Sequence, residues 1–155
     1  MGYTIKIGNA IPKFSKEHGE LYAAWEVELV NKEDAPAFGE PTDFENQRWP
    51  SYTTWADSMR VLGLHSLFFS SDEGLMRSHP GCKIITDEHV AKVKDAIANR
   101  IATNGGKPPG FLGYDTKSHT EFDNGNDPDL ARGIWLEYWM AWAVENCETP
   151  AIENS

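Results

Sequence analysis

The run from Asp127 to Cys147, DPDLARGIWLEYWMAWAVENC, constrains this chain more than any other stretch. Between Ile134 and Val144 only Glu137 is polar. Trp135, Trp139 and Trp142 recur at i, i+4 and i+7, so a helix sets them on one face. Tyr138 and Met140 widen that face until the helix is apolar nearly all round. A helix of that kind is the buried centre of a domain. The run falls well short of the roughly 20 apolar residues that crossing a bilayer requires. Asp127 suits the N-cap, Pro128 the first helical position, and Asp129 the positive end of the helix dipole. The three tryptophans are read as core packing rather than as a ligand platform.

A core around that helix needs a chain long enough to enclose it, and 155 residues suffice for one domain, residues 1–155. Six Trp, seven Phe and five Tyr supply much of the filling. The formal charge of −10 opposes general binding to nucleic acid or to an anionic membrane. Cys82 and Cys147 lie far apart and do not make a disulfide framework, although one bridge between them stays open. The opening MGYTIKIGNA lacks the apolar core of a signal peptide. Lys6 stands where a myristoylation motif needs Ser or Thr. The expectation is a reducing cytoplasm.

Tyr3, Ile5 and Ile7 alternate with polar residues as a strand does, and Asn9 to Gly19, with Pro12, reads as a turn-rich connection. Leu21 to Leu29 alternates again, with one apolar and one acidic face, and pairs with the first strand as an antiparallel hairpin. Asn31 to Pro50 is a long loop. Ser51 caps a helix striped with Tyr52, Trp55, Met59 and Leu62, and Gly63 ends it. Leu64 to Phe69 reads as a buried strand, and Lys83 to Ile85 as a short one. Thr86 caps the next helix, Asp87 and Glu88 fill its first turn, and Val90, Val93, Ile97 and Ile101 line its buried face. Lys107 to Asn126 is a second long loop, and Pro150 opens a short tail. The fold class is α+β: a small, mainly antiparallel sheet packed on three helices, with the Trp-rich C-terminal helix in the core.

Charge falls in blocks. Residues 1–16 carry three Lys and no acid, and residues 17–47 carry nine acids against Lys32. Residues 48–113 carry eight bases against six acids, and residues 114–155 nine acids against two bases. An anionic ligand therefore prefers the middle segment, near Arg48, Arg60, Arg77 and Lys83. The competing reading is that these bases only balance neighbouring carboxylates.

Metal and nucleophile chemistry have partial signals. His79 and Cys82 are three apart, with His89 and His65 as further candidate zinc ligands, but no second ligand pair repeats the spacing. No zinc site is expected, and no other cofactor. Cys82 as a nucleophile, with His79 or His65 as base, has no supporting signature. The run from Asp123 to Asp129 has Gly125 and Pro128 out of place for a calcium loop and reads as an Asx-rich turn. No phosphate-binding loop, dinucleotide fingerprint, nucleophile elbow or HExxH motif occurs, so the chain announces no enzyme.

The runs GLHSLFF, GLMRSHPGC and WLEYWMAWAVENCETPAIENS resemble a group of small uncharacterised proteins from tailed phages and prophages, over most of residues 20–155. The resemblance carries no catalytic residue. It implies a setting, the host bacterial cytoplasm during infection, and a mode of action by binding, as in proteins that occlude a host defence factor or sequester its nucleotide signal. The expectation is a non-enzymatic accessory protein of the counter-defence type that binds a small anionic ligand, with a nucleotide in view. Three alternatives compete: an acidic protein that occludes a host protein, including by nucleic-acid mimicry; a metal-dependent enzyme; and a minor virion or assembly component.

The expected site joins Arg48, Trp49, Ser51 and Tyr52 with Arg77, His79 and Lys83. Arg48 offers phosphate donors and Trp49 a flat surface for a base, beside a helix start whose free N–H groups attract anions. The competing reading packs Trp49 on the core and pairs Arg48 with Glu45. Apolar loop residues such as Phe38, Phe44, Trp49, Phe111 and Phe122 point to a homo-oligomer, a dimer first.

Overall fold

The computed structural model describes residues 5–15, 22–29, 52–70, 73–77, 81–103 and 128–154. Among them, β1 (Ile5–Ser15) and β2 (Tyr22–Leu29) pair antiparallel, from Gly8 opposite Leu29 to Ser15 opposite Tyr22. β3 (Gly81–Ile84) and β4 (Pro150–Asn154) complete a sheet of order β2-β1-β4-β3, antiparallel at every step. The helices are α1 (Tyr52–Val61), α2 (Asp87–Thr103) and α3 (Pro128–Asn146). The expected α+β class holds, with α3 against the sheet at its centre.

Two sheet expectations need correction. The connection expected from Asn9 is strand as far as Ser15. Pro12 misleads because a proline usually interrupts a ladder. Here the Ala10 N–H bonds Thr149 O at 2.8 Å, on the side of β1 away from β2. Two residues on, the nitrogen of Pro12 faces that same side, past the end of the β4 pairing at Asn9. No ladder bond is lost there.

The tail after Pro150 is β4, an inner strand between β1 and β3. Its sequence, PAIEN, gives little strand signal, and its place is set by partners far away in the chain. Asn9 Oδ1 accepts from Thr149 N at 2.8 Å, and Pro150 O accepts from Ile85 N at 2.8 Å. These bonds seat the start of β4 on both neighbours.

The register divides the sheet into two faces. Ile5, Ile7 and Ile152 share one, and all three are buried in the main core with Trp55, Met59, Phe68, Trp135 and Trp139. Ala10, Ala151 and Cys82 form a separate small cluster on the other face. In α3, Trp135 and Trp139 are buried as the periodicity expects, while Trp142 is half-buried at the margin. Trp55 lies against Trp135 with ring centroids 5.7 Å apart, and Trp139 meets Tyr138 edge-on. Gly133 lets α3 approach closely, since a Cβ there would stand 2.8 Å from the Leu62 side chain. Glu137 is half-buried, and burial pushes its carboxyl up while Lys94 of α2 pulls it back.

The strand expected at Leu64–Phe69 is instead a short, wide π turn, Ser66–Ser70. The cause lies one step earlier. Gly63, at φ 74°, ends α1, with Gly63 N bonded to Arg60 O and Leu64 N to Met59 O at 2.7 Å. This is a Schellman stop, and it directs Leu64 into the core beside Met59. Phe68 N then bonds Leu64 O, so the apolar run coils at once rather than extending. A short apolar run fits either conformation by pattern alone.

α1 and α3 are joined by polar groups as well. The buried Ser58 hydroxyl donates to Asp129 Oδ1 at 2.7 Å and accepts from Arg132 Nη1 at 2.9 Å. Asp127, Ser51 and both long loops lie outside the described residues. No helix among the described residues is long and apolar enough to cross a membrane.

Candidate functional site

A cleft of about 500 Å³ opens where β3 runs into α2. Its walls are mostly apolar, with Ala10, Leu75 and Ile84, and its polar residues are Lys83, Glu73, Thr86, His89 and Thr149. That size and mixture suit a small-molecule site. A second, more polar groove of about 600 Å³ runs on along α2 and shares Glu73 and His89 with the first.

Local sequence fixes one wall. Thr86 caps α2, its Oγ1 accepting from His89 N at 3.3 Å. His89 reaches back, its Nδ1 accepting from Thr86 N at 3.0 Å. This is the reciprocal pairing of a capping box, with histidine where Glu or Gln is usual. A ring whose Nδ1 accepts must be neutral and carry its proton on Nε2. Burial and Lys92 lower the imidazole below its ordinary range, partly offset by Glu88, which agrees with the neutral form. His89 therefore lines the cleft as a neutral ring with one N–H donor.

Cys82 lines the same cleft. Burial, and then the Glu153 carboxylate opposite it on β4, push its thiol up to about 11. A thiol held that high stays protonated at neutral pH and makes a poor nucleophile. Cys82 and Cys147 are both free. His65 shares a hydrogen bond with Ser70 Oγ and packs on Phe69. Among the described residues no three His, Cys, Asp or Glu side chains gather as metal ligands.

Of the seven residues expected at the site, Lys83 stands in the cleft, half-buried on β3. Arg77 is exposed and donates to Ser70 O at 3.3 Å, outside that lining. Tyr52 begins α1, with its side chain beyond what is described. Arg48, Trp49, Ser51 and His79 lie outside the described residues. In the sequence Thr86 is legible only as a cap and His89 only as a metal candidate, and Glu73 carries no signal of its own. The Thr86-x-x-His89 spacing was the available signal for the cap. Nothing in the spacing of residues 73, 83 and 89 brings them together, because the folding of β3 against α2 does so. No family model, curated protein or solved structure matches this chain.

Proposed function

We propose that the protein is a non-enzymatic binding protein for a small ligand with an anionic group, and that the cleft between β3 and α2 receives it. The observation that carries this reading is Lys83, a half-buried residue on the edge strand β3 that lines a mostly apolar cleft and has no ion-pair partner among the described residues. An unpaired cation there gives a bound anion a charge partner without first breaking an ion pair. His89 and Thr86 line the same cleft and bring neutral donors to it. The protonated Cys82 thiol favours binding over nucleophilic chemistry.

In the phage setting implied by the resemblance, such a protein removes a host signal by holding it, and nucleotides are the first class to test. Calorimetry against mono-, di- and cyclic nucleotides, small carboxylates and amino acids is the test. The expected outcome is binding that vanishes in Lys83→Ala while the fold persists. Binding that survives Lys83→Ala would place the site elsewhere, and no binding by any member would end the reading.

A further inference from the structure

The cleft holds two opposite charges that do not meet. Lys83 comes from β3 and Glu73 from the turn leading to Leu75, and both line the cleft. Among the described residues neither has an ion-pair or hydrogen-bond partner, and they do not pair with each other. Elsewhere on the surface Arg60 pairs with Asp57 at 2.7 Å and Lys92 with Glu88 at 3.2 Å. A purely anionic ligand gains from Lys83 but is repelled by Glu73, and a purely cationic one meets the reverse. A ligand with both charges satisfies both groups at once.

The rest of the lining limits the ligand further. Ala10, Leu75 and Ile84 also line the cleft, and Ile84 is 60% exposed, a large apolar side chain left to water. The neutral His89 adds a donor without adding charge, so the balance between Lys83 and Glu73 is kept.

We propose that the cleft takes a zwitterion with an apolar side chain, its carboxylate at Lys83 and its ammonium at Glu73: an amino acid or a short peptide with free ends. This rests on the reading of the cleft as the ligand site. Glu73 is then the specificity-determining residue, admitting a cationic nitrogen and disfavouring polyanions such as nucleotides.

The test is calorimetry with leucine and leucyl-leucine, each beside its N-acetyl and C-amide derivatives. In the wild type each blocked form should bind about tenfold more weakly than the free zwitterion, the loss of one charge-assisted contact. Glu73→Gln should remove the penalty for N-acetylation, and Lys83→Ala the penalty for amidation. Both changes are at accessible positions, and urea midpoints confirm that the variants fold. N-acetyl forms that bind the wild type as tightly as the free zwitterions overturn the inference and leave an anion-binding protein. Nucleotide binding lost in Lys83→Ala, with no zwitterion bound, overturns it in the same way. No binding by any compound overturns the inference and the proposed function together.

Discussion

Where α1 meets α3, Ser58 donates a hydrogen bond to Asp129 and accepts one from Arg132, and Trp55 lies against Trp135. Where β3 meets α2, Lys83 and Glu73 stand without partners among the described residues, and Ile84 is left to solvent. The first region joins its buried groups to one another through these contacts. The second leaves charge and apolar surface unused, which adds nothing to the fold. The contrast separates residues kept for stability from residues available for a ligand, and changes in the two regions should separate in the same way.

The largest effect belongs to the core. Trp139→Ala should cost about 3–5 kcal/mol, since it leaves a large cavity in a packed interior. Trp139 also buries an indole Nε1–H that has no acceptor among the described residues. Trp139→Phe removes that unsatisfied donor along with some volume, so it should cost less than half of the alanine change. Urea midpoints measure both. A phenylalanine variant as unstable as the alanine one would mean that the indole N–H is satisfied in solution.

Ser58→Ala comes next, at about 1–2 kcal/mol, because it deprives Asp129 and Arg132 of their shared partner in a half-buried site. No change in midpoint would show that water replaces the hydroxyl at no cost.

The α2 cap lines the second region yet serves the fold, and its effect is pH-dependent. The folded state lowers the titration of His89 below its ordinary value of 6.5, so the folded state binds fewer protons there than the unfolded chain. Its stabilising contribution is full above about pH 6.5 and is lost as pH falls through the lowered folded value. Glu137, raised by burial, acts in the opposite sense. Comparison with His89→Gln cancels that contribution. Gln at this position can still accept from Thr86 N, so the variant should keep the cap and lose the His89 part of the acid sensitivity. Equal slopes of urea midpoint against pH, in wild type and variant, would show that His89 does not carry the effect. Thr86→Ala should cost about 1 kcal/mol at neutral pH through loss of the cap.

These effects show how far the sequence could be read. α3 was legible because its apolar pattern is long and Pro128 marks its start, and α2 because Thr86 and two acids announce it. Gly63 was legible as a stop, yet the Schellman geometry it imposes turned Leu64–Phe69 from the expected strand into a π turn. β4 was not legible, since Pro150, Glu153 and Asn154 give no strand pattern and the ladder bonds come from β1 and β3. At the site, the excess of bases in residues 48–113 pointed to Lys83. Glu73 and His89 reach it only through tertiary packing. Arg48 and Trp49 lie outside the described residues.

The smallest effect on stability belongs to Lys83→Ala, within about 0.5 kcal/mol, the usual range for a surface substitution. The same change should have the largest effect on binding. A midpoint shift comparable to that of Ser58→Ala would mean that Lys83 serves the fold.

The most direct measurement is an NMR titration of ¹⁵N-labelled protein with the tightest-binding compound of the calorimetric panels. The expected shifts fall on the amides of Glu73, Lys83, Ile84 and His89 and leave Trp55, Trp135 and Trp139 unmoved. Shifts centred on α1 and α3, or none at saturating ligand, would contradict a ligand site at the β3–α2 corner.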